Sequence, residues 1–174
     1  MELTNQSIRV KIKNKDFNNI SNWNVKNVTN MSKLFMHLGD FNEDISRWNV
    51  SNVTDMGNMF AGCKKFDCDI GGWNVSNVKD THSMFAGCYN FNQDIGKWDV
   101  SNVENMYNMF YGCVLFNQNI NDWKIDNVKY ITNIFCDCTK FNQPLDKWNL
   151  SNITRINSMF AGCNNFNQDI SMWD

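Results

Sequence analysis

The stretch WNVSNVTDMGNMFAGCKKFDCDIGG, Trp48 to Gly72, decides how this chain folds, because a close variant of it begins again at Trp73 and at Trp98. Trp stands at 23, 48, 73, 98, 123, 148 and 173, so all seven tryptophans share one 25-residue register. Phe35, Phe60, Phe85, Phe110, Phe135 and Phe160 keep the same interval, as do Phe41, Phe66, Phe91, Phe116, Phe141 and Phe166. Phe17 opens an incomplete coil that is one residue short. A fixed period of this size marks a repeat array in which each unit buries its apolar face only against its neighbours.

Within one coil, Trp98-Asp99-Val100 alternates apolar and polar, which predicts a short strand. From Val103 the apolar spacing changes to three and four through Met106, Met109, Phe110 and Cys113, which predicts one face of a short helix. Ser101 or Asn102 is placed to cap its start, and Gly112 stands past its end, where a left-handed residue is needed. Gly62, Gly87 and Gly162 share that position with Asp137 and His37. The fold expected is therefore α/β: a leucine-rich-repeat-like solenoid of six 25-residue coils, each a short parallel strand plus a short helix. Residues 17–174 form the array, with a partial coil at 17–22 and full coils starting at Trp23, Trp48, Trp73, Trp98, Trp123 and Trp148. Residues 1–16 are expected to hold a capping strand, because Ile8, Val10 and Ile12 alternate with Arg9, Lys11 and Lys13.

Composition narrows the function. Of 174 residues 43% are apolar and the net charge is -2, with acids and bases interspersed. Nucleic-acid binding needs a basic stripe that is missing here, and no apolar run approaches the ~18 residues of a membrane span. The segment MELTNQSIRVKIKNKDF lacks an apolar core and a cleavage site, so a cytoplasmic or virion-associated protein is expected, or a cell-surface one if a leader was removed. The seven cysteines are then expected to be reduced thiols.

The phrase beginning at Trp48, repeated at Trp98 as WDVSNVENMYNMFYGCVLFNQNI, resembles the BspA-like leucine-rich-repeat surface proteins, in the 25-to-26-residue type found in mycoplasma lipoproteins, other bacterial surface proteins and giant viruses. The resemblance covers residues 17 to 174. It implies a horseshoe or rod with a role in adhesion or host interaction, and it brings no catalytic residues and no cofactor.

Each ladder of identical residues has a structural reading and a functional one. Cys63, Cys88, Cys113, Cys138 and Cys163 stack and read as small core thiols, their parallel Cβ vectors arguing against bridging. Asn27, Asn52, Asn77, Asn102, Asn127 and Asn152 place an amide at one turn of every coil, where it can bond backbone within and between coils. A second row, Asn42, Asp67, Asn92, Asn117, Asn142 and Asn167, is expected to do the same at the opposite turn. Asp44, Asp69, Asp94 and Asp169 also stack, either as turn acceptors or as a calcium edge; the latter gives the rival reading, a carbohydrate- or calcium-dependent adhesin-like module. His37 and His82 fall at different phases of the repeat with no partner set beside them, so no enzyme is expected.

Two surfaces remain for binding. The Trp-side face presents Lys97, Asp99 and Lys124 among its outward residues, with Asp122 set between Lys97 and Lys147 and Lys124 beside Asp99 as ion pairs. On the opposite face the coils differ most, at His82, Tyr107, Tyr111, Tyr130 and Arg155, and the three tyrosines read as an anchor patch. The function expected is a non-catalytic scaffold for protein–protein interaction or surface presentation, with a protein partner. A homodimer or larger assembly is expected through the C-terminal coil, where Phe160, Phe166 and Ile170 would be left at an open edge.

Overall fold

In a computed structural model, which describes residues 2–173, each coil is a chain of tight turns. Met1 and Asp174, the outer limits of the two expected units, lie outside the described residues. In the coil of Trp48, backbone N–H groups close onto the carbonyl three residues back, from Trp48 to Ile45, Val53 to Val50, Met59 to Met56, Cys63 to Phe60 and Phe66 to Cys63. Every residue that opens or closes one of these turns is apolar, and all are buried. The turns Met56–Met59 and Phe60–Cys63 carry their left-handed residue in third place, Asn58 at φ 57° and Gly62 at φ 77°, the signature of a type II turn.

The other N–H groups run along the stack. Met56, Asn58, Phe60 and Gly62 donate to the carbonyls of Asp80, His82, Met84 and Ala86 in the next coil at 2.7–2.9 Å. One N–H thus folds its own coil and the next ties two coils together, so the backbone of a buried turn is satisfied without strand or helix.

The α/β expectation is overturned. Among the described residues the only α-helix is α1 (Asn5–Lys13), outside the repeats; a 3₁₀ turn spans Ile20–Asn22, and no strand forms. Pairing is limited to isolated parallel bridges, Glu2 with Asn24 and then the row Asn30, Asp55, Asp80, Asn105, Tyr130. The apolar spacing read as a helix face belongs to successive turns, which also bring residues three apart to one side. Left-handed residues four positions apart, at Asn58 and Gly62 and at their equivalents in every coil, interrupt any right-handed helical run.

The core is aromatic. Phe35, Phe60, Phe85, Phe110, Phe135 and Phe160 stack in one column with ring centroids 5.5 to 5.9 Å apart. The Phe41-to-Phe166 column lies beside it, and within a coil the two rings approach to 3.9–4.2 Å. From Trp48 onward each indole N–H reaches back a coil, Trp98 Nε1 donating to Ile70 O at 3.1 Å and Trp123 Nε1 to Ile95 O at 3.1 Å, while Trp23 Nε1 bonds the nearby Asn18 O. A buried ring of this size therefore leaves no unpaired donor.

The expected capping strand is instead α1. Ile8 and Ile12 are buried four residues apart and Val10 is exposed, so the helical spacing hidden in IRVKIK prevails over its alternation. Thr4 and Ser7 form a capping box, and Lys11 and Lys13 lie in the last turn, where the helix dipole favours cations. α1 also completes the first coil. Asn5 Oδ1 accepts the N–H groups of Thr29 and Asn30, and Arg9 donates to the carbonyls of Ser32 at 2.8 Å and Asn30 at 3.3 Å. In later coils a neighbouring coil meets the equivalents of three of these groups: Thr54 N bonds Thr29 O, and Asp55 O and Gly57 O receive Met31 and Lys33.

Candidate functional site

A column of short polar side chains runs along the bridge row and explains where the regular surface ends. Asn30, Asp55, Asp80 and Asn105 each accept, through Oδ1, the N–H two residues on, at Ser32, Gly57, His82 and Tyr107, over 2.8 to 3.1 Å. Their free ends tie coil to coil: Asn30 Nδ2 donates to Asp55 Oδ2 at 2.8 Å and Asn105 Nδ2 to Asp80 Oδ2 at 3.5 Å. The next two places in the column are Tyr130 and Arg155. Neither side chain can accept the N–H two residues on, because a tyrosine carries its oxygen too far out and a guanidinium has no acceptor.

The ladder stops there. Met106 N still bonds Tyr130 O, but among the described residues Ile131 N does not reach Arg155 O, Thr154 N does not reach Lys129 O, and the bridge row ends at Tyr130. Thr132 Oγ1 meets Arg155 O instead, at 3.4 Å. The opening is a cleft of about 770 Å³ across four successive coils, lined by two rows of the repeat, Asp80, Asn105, Tyr130 and Arg155 in one and His82, Tyr107, Thr132 and Asn157 in the other, together with Thr154. That volume lies in the range of ligand pockets.

His82 is fixed inside it. Its Nδ1 lies 2.7 Å from Asp80 Oδ1 and its Nε2 2.6 Å from Asn58 Nδ2, so both ring nitrogens are taken. Gly57 makes this possible, since a Cβ there would collide with the imidazole of His82.

Of the five residues expected on this face, four come together: His82, Tyr107, Tyr130 and Arg155. Tyr111 does not. It lies beside Asp137 and Cys136, whose negative charge pushes its phenol pKa up, and near Tyr89. The three-tyrosine patch is therefore two patches, and Tyr89, under Lys64 at 5.7 Å, was not singled out in the sequence. Asp80, Asn105, Thr132, Thr154 and Asn157 were also missed. Their signal was the change from Asn and Asp to Tyr and Arg in one column.

On the Trp-side face, Lys147 Nζ pairs with Asp122 at 2.7 Å. No Lys97–Asp122 or Lys124–Asp99 pair forms among the described residues; Asp99 accepts Ser101 N instead. Hydrogen bonds from Ser101 hold the Asp99 carboxyl below its usual pKa.

The remaining ladders are consumed by the frame. Asn52, Asn77, Asn102, Asn127 and Asn152 donate through Nδ2 to the backbone carbonyls of Lys26, Ser51, Ser76, Ser101 and Asp126 at 2.7–2.9 Å. Asn27, with no earlier repeat behind it, bonds Glu2. Asn42, Asp67, Asn92, Asn117 and Asn142 each accept the backbone N–H of the next residue in their row, ending at Asn167. Asp44, Asp69, Asp94 and Asp169 accept the N–H two residues on, at Ser46, Gly71, Gly96 and Ser171, as Asx turns. Among the described residues no three His, Cys, Asp or Glu side chains gather into a metal-binding group.

All seven cysteines are free. The ladder thiols Cys63, Cys88, Cys113, Cys138 and Cys163 donate to the carbonyls of Phe35, Phe60, Phe85, Phe110 and Phe135 at 2.8–3.1 Å. Burial pushes Cys63 up to about 12 and Cys163 up to about 11.

At the last coil, Ile156 and Ile170 are exposed, although the residues in their registers, Ile131 and Leu145, are fully buried. Among the described residues no helix is long and apolar enough to cross a membrane.

No curated protein matches the chain. Among solved structures, the leucine-rich-repeat protein of T. pallidum is similar at 14% identity and a TM-score of 0.37, over 81% of this chain and 72% of that one, a likeness too low to carry an argument about fold. The family model described as "Mycoplasma protein of unknown function, DUF285" matches residues 6–114 and 91–174. The matched residues span nearly the whole stack, and the chain belongs to that family.

Proposed function

We propose that this repeat domain is a non-catalytic scaffold that binds a protein partner through the cleft between Tyr107, Tyr130 and Arg155. The observation that carries the reading is the break in the Asn/Asp column, which departs from the repeat at a pocket-sized cleft. Tyrosine and arginine are the side chains enriched at the centres of protein interfaces, and Tyr107 and Tyr130 are 41% and 57% exposed. Both nitrogens of His82 are engaged, which favours a structural histidine over a general base. The finer kinship with BspA-like surface proteins, and with it a role in adhesion or host interaction, is part of the same proposal and rests on the repeat phrase starting at Trp48.

A photo-crosslinking residue placed at position 130, and as a control at position 74 on the Trp-side face, tests the reading in the cells that make the protein. Protein adducts from position 130 and not from 74 are expected, and they should vanish when Tyr107 is replaced by Ala. Adducts from 74 alone, or none from 130, would contradict it.

A further inference from the structure

We propose that the segment received by this cleft is acidic, with its carboxylates held at Arg155 and its chain laid along Tyr107 and Tyr130. The proposal rests on the scaffold reading above and adds the chemistry of the partner.

Charge is the first argument. Among the described residues Arg155 makes no ion pair and its guanidinium no hydrogen bond; only its backbone carbonyl is engaged, by Thr132. The one carboxylate lining the cleft, Asp80, is already occupied: Oδ1 takes the backbone N–H and the ring of His82, and Oδ2 takes the Asn105 amide. In the adjoining column Glu104 is paired to Lys129 at 2.6 Å, while Lys79 has no ion-pair partner among the described residues. Hydrogen bonds leave Asp80 its charge, so the cations around the cleft, Arg155, Lys79 and Lys129, stand against the anions Asp80 and Glu104, an excess of one positive charge. Arg155 is the cation in the lining itself, and a planar guanidinium is suited to hold a carboxylate through two parallel hydrogen bonds.

Open backbone is the second. The N–H groups of Thr132 and Asn157, which line the cleft, find no acceptor in the protein among the described residues. Their equivalents at Ser32, Gly57, His82 and Tyr107 are all met by the Asn/Asp column. Unmet backbone donors beside an unpaired arginine suit the carbonyls and carboxylates of an extended acidic peptide. The two tyrosine rings supply the apolar contact that a purely electrostatic site would lack.

The test uses the whole chain with a fluorescein-labelled polyglutamate peptide, its polyglutamine counterpart and an unlabelled hyaluronan oligosaccharide, read by fluorescence anisotropy. The glutamate peptide should bind, and should weaken as salt is raised. The glutamine peptide, and the Arg155→Glu variant with the glutamate peptide, should each bind at least about tenfold more weakly. Lys97→Glu, an equal charge change on the other face, should leave binding within about twofold. A melting curve shows that Arg155→Glu remains folded, and the neutral Arg155→Gln should give an intermediate loss. Equal binding of the two peptides, no binding, or no effect at Arg155 would overturn the proposal. So would displacement of the peptide by the oligosaccharide alone, which would assign the cleft to an acidic glycan. Protein adducts from position 130 that persist while the peptide fails would overturn the acidic preference and leave the scaffold reading standing.

Discussion

Trp98 shows what a single residue does in this stack. It buries its ring against Phe85 and Trp123 and spends its one donor on Ile70 O of the coil before. Trp98→Ala should cost roughly 3–5 kcal/mol, and clearly more than Trp173→Ala in the half-buried last position. Equal losses of stability in urea melts would mean that Trp98 is not enclosed between coils. Arg9 acts by hydrogen bonding instead of bulk. It serves two carbonyls of the first coil, and Arg9→Ala should cost about 1.5–3 kcal/mol, the range for bonds from a charged donor to otherwise open acceptors. Lys13, one turn on in α1, makes no such bond among the described residues and should matter by less than about 0.5 kcal/mol.

At the scale of the element, the unit is a four-residue turn closed by an apolar pair. The repeat length, the inward tryptophans and phenylalanines and the left-handed glycines at 62, 87, 112 and 162 were legible in the sequence, because each follows from one residue's burial or backbone freedom. The element type was not. Val53, Met56, Met59, Phe60 and Cys63 satisfy a helix face and a string of turns equally well, and only the second left-handed row resolves the choice. That row reads Lys33, Asn58, Ser83, Asn108, Asn133 and Ser158, and no glycine in it drew attention. α1 was lost the same way, since IRVKIK fits both a period of two and an i, i+4 pair. The cysteine ladder makes two predictions. Native-state labelling should modify the half-buried Cys68 and Cys136 quickly and the five buried ladder thiols slowly; rapid labelling of all seven would contradict the packing. The folded-state pKa of Cys63 is raised from 9.0 to about 12, so the stability it contributes is whole below pH 9.0 and is lost as pH climbs toward 12. Melting temperature should therefore fall less steeply over that window in Cys63→Ala than in the native chain, and parallel curves would count against it.

For the molecule as a whole, the two ends differ as the two sides do. α1 closes the first coil, whereas the last described coil leaves Ile156 and Ile170 exposed. Along the sides, the Asn and Asp ladders are spent on the frame, and the cleft at Tyr130 and Arg155 is where one of them is interrupted. The most direct test repairs it. Tyr130→Asn with Arg155→Asp restores acceptors for Thr132 N and Asn157 N and lets the bridge row continue into the last coil. If the cleft exists because those two residues break the column, the repaired chain melts higher, by on the order of 1 kcal/mol of stability per restored turn. It should also lose the adducts formed from the cleft, read with the crosslinker moved to position 132. A repaired chain that is less stable, or that still captures its partner from position 132, would contradict the account.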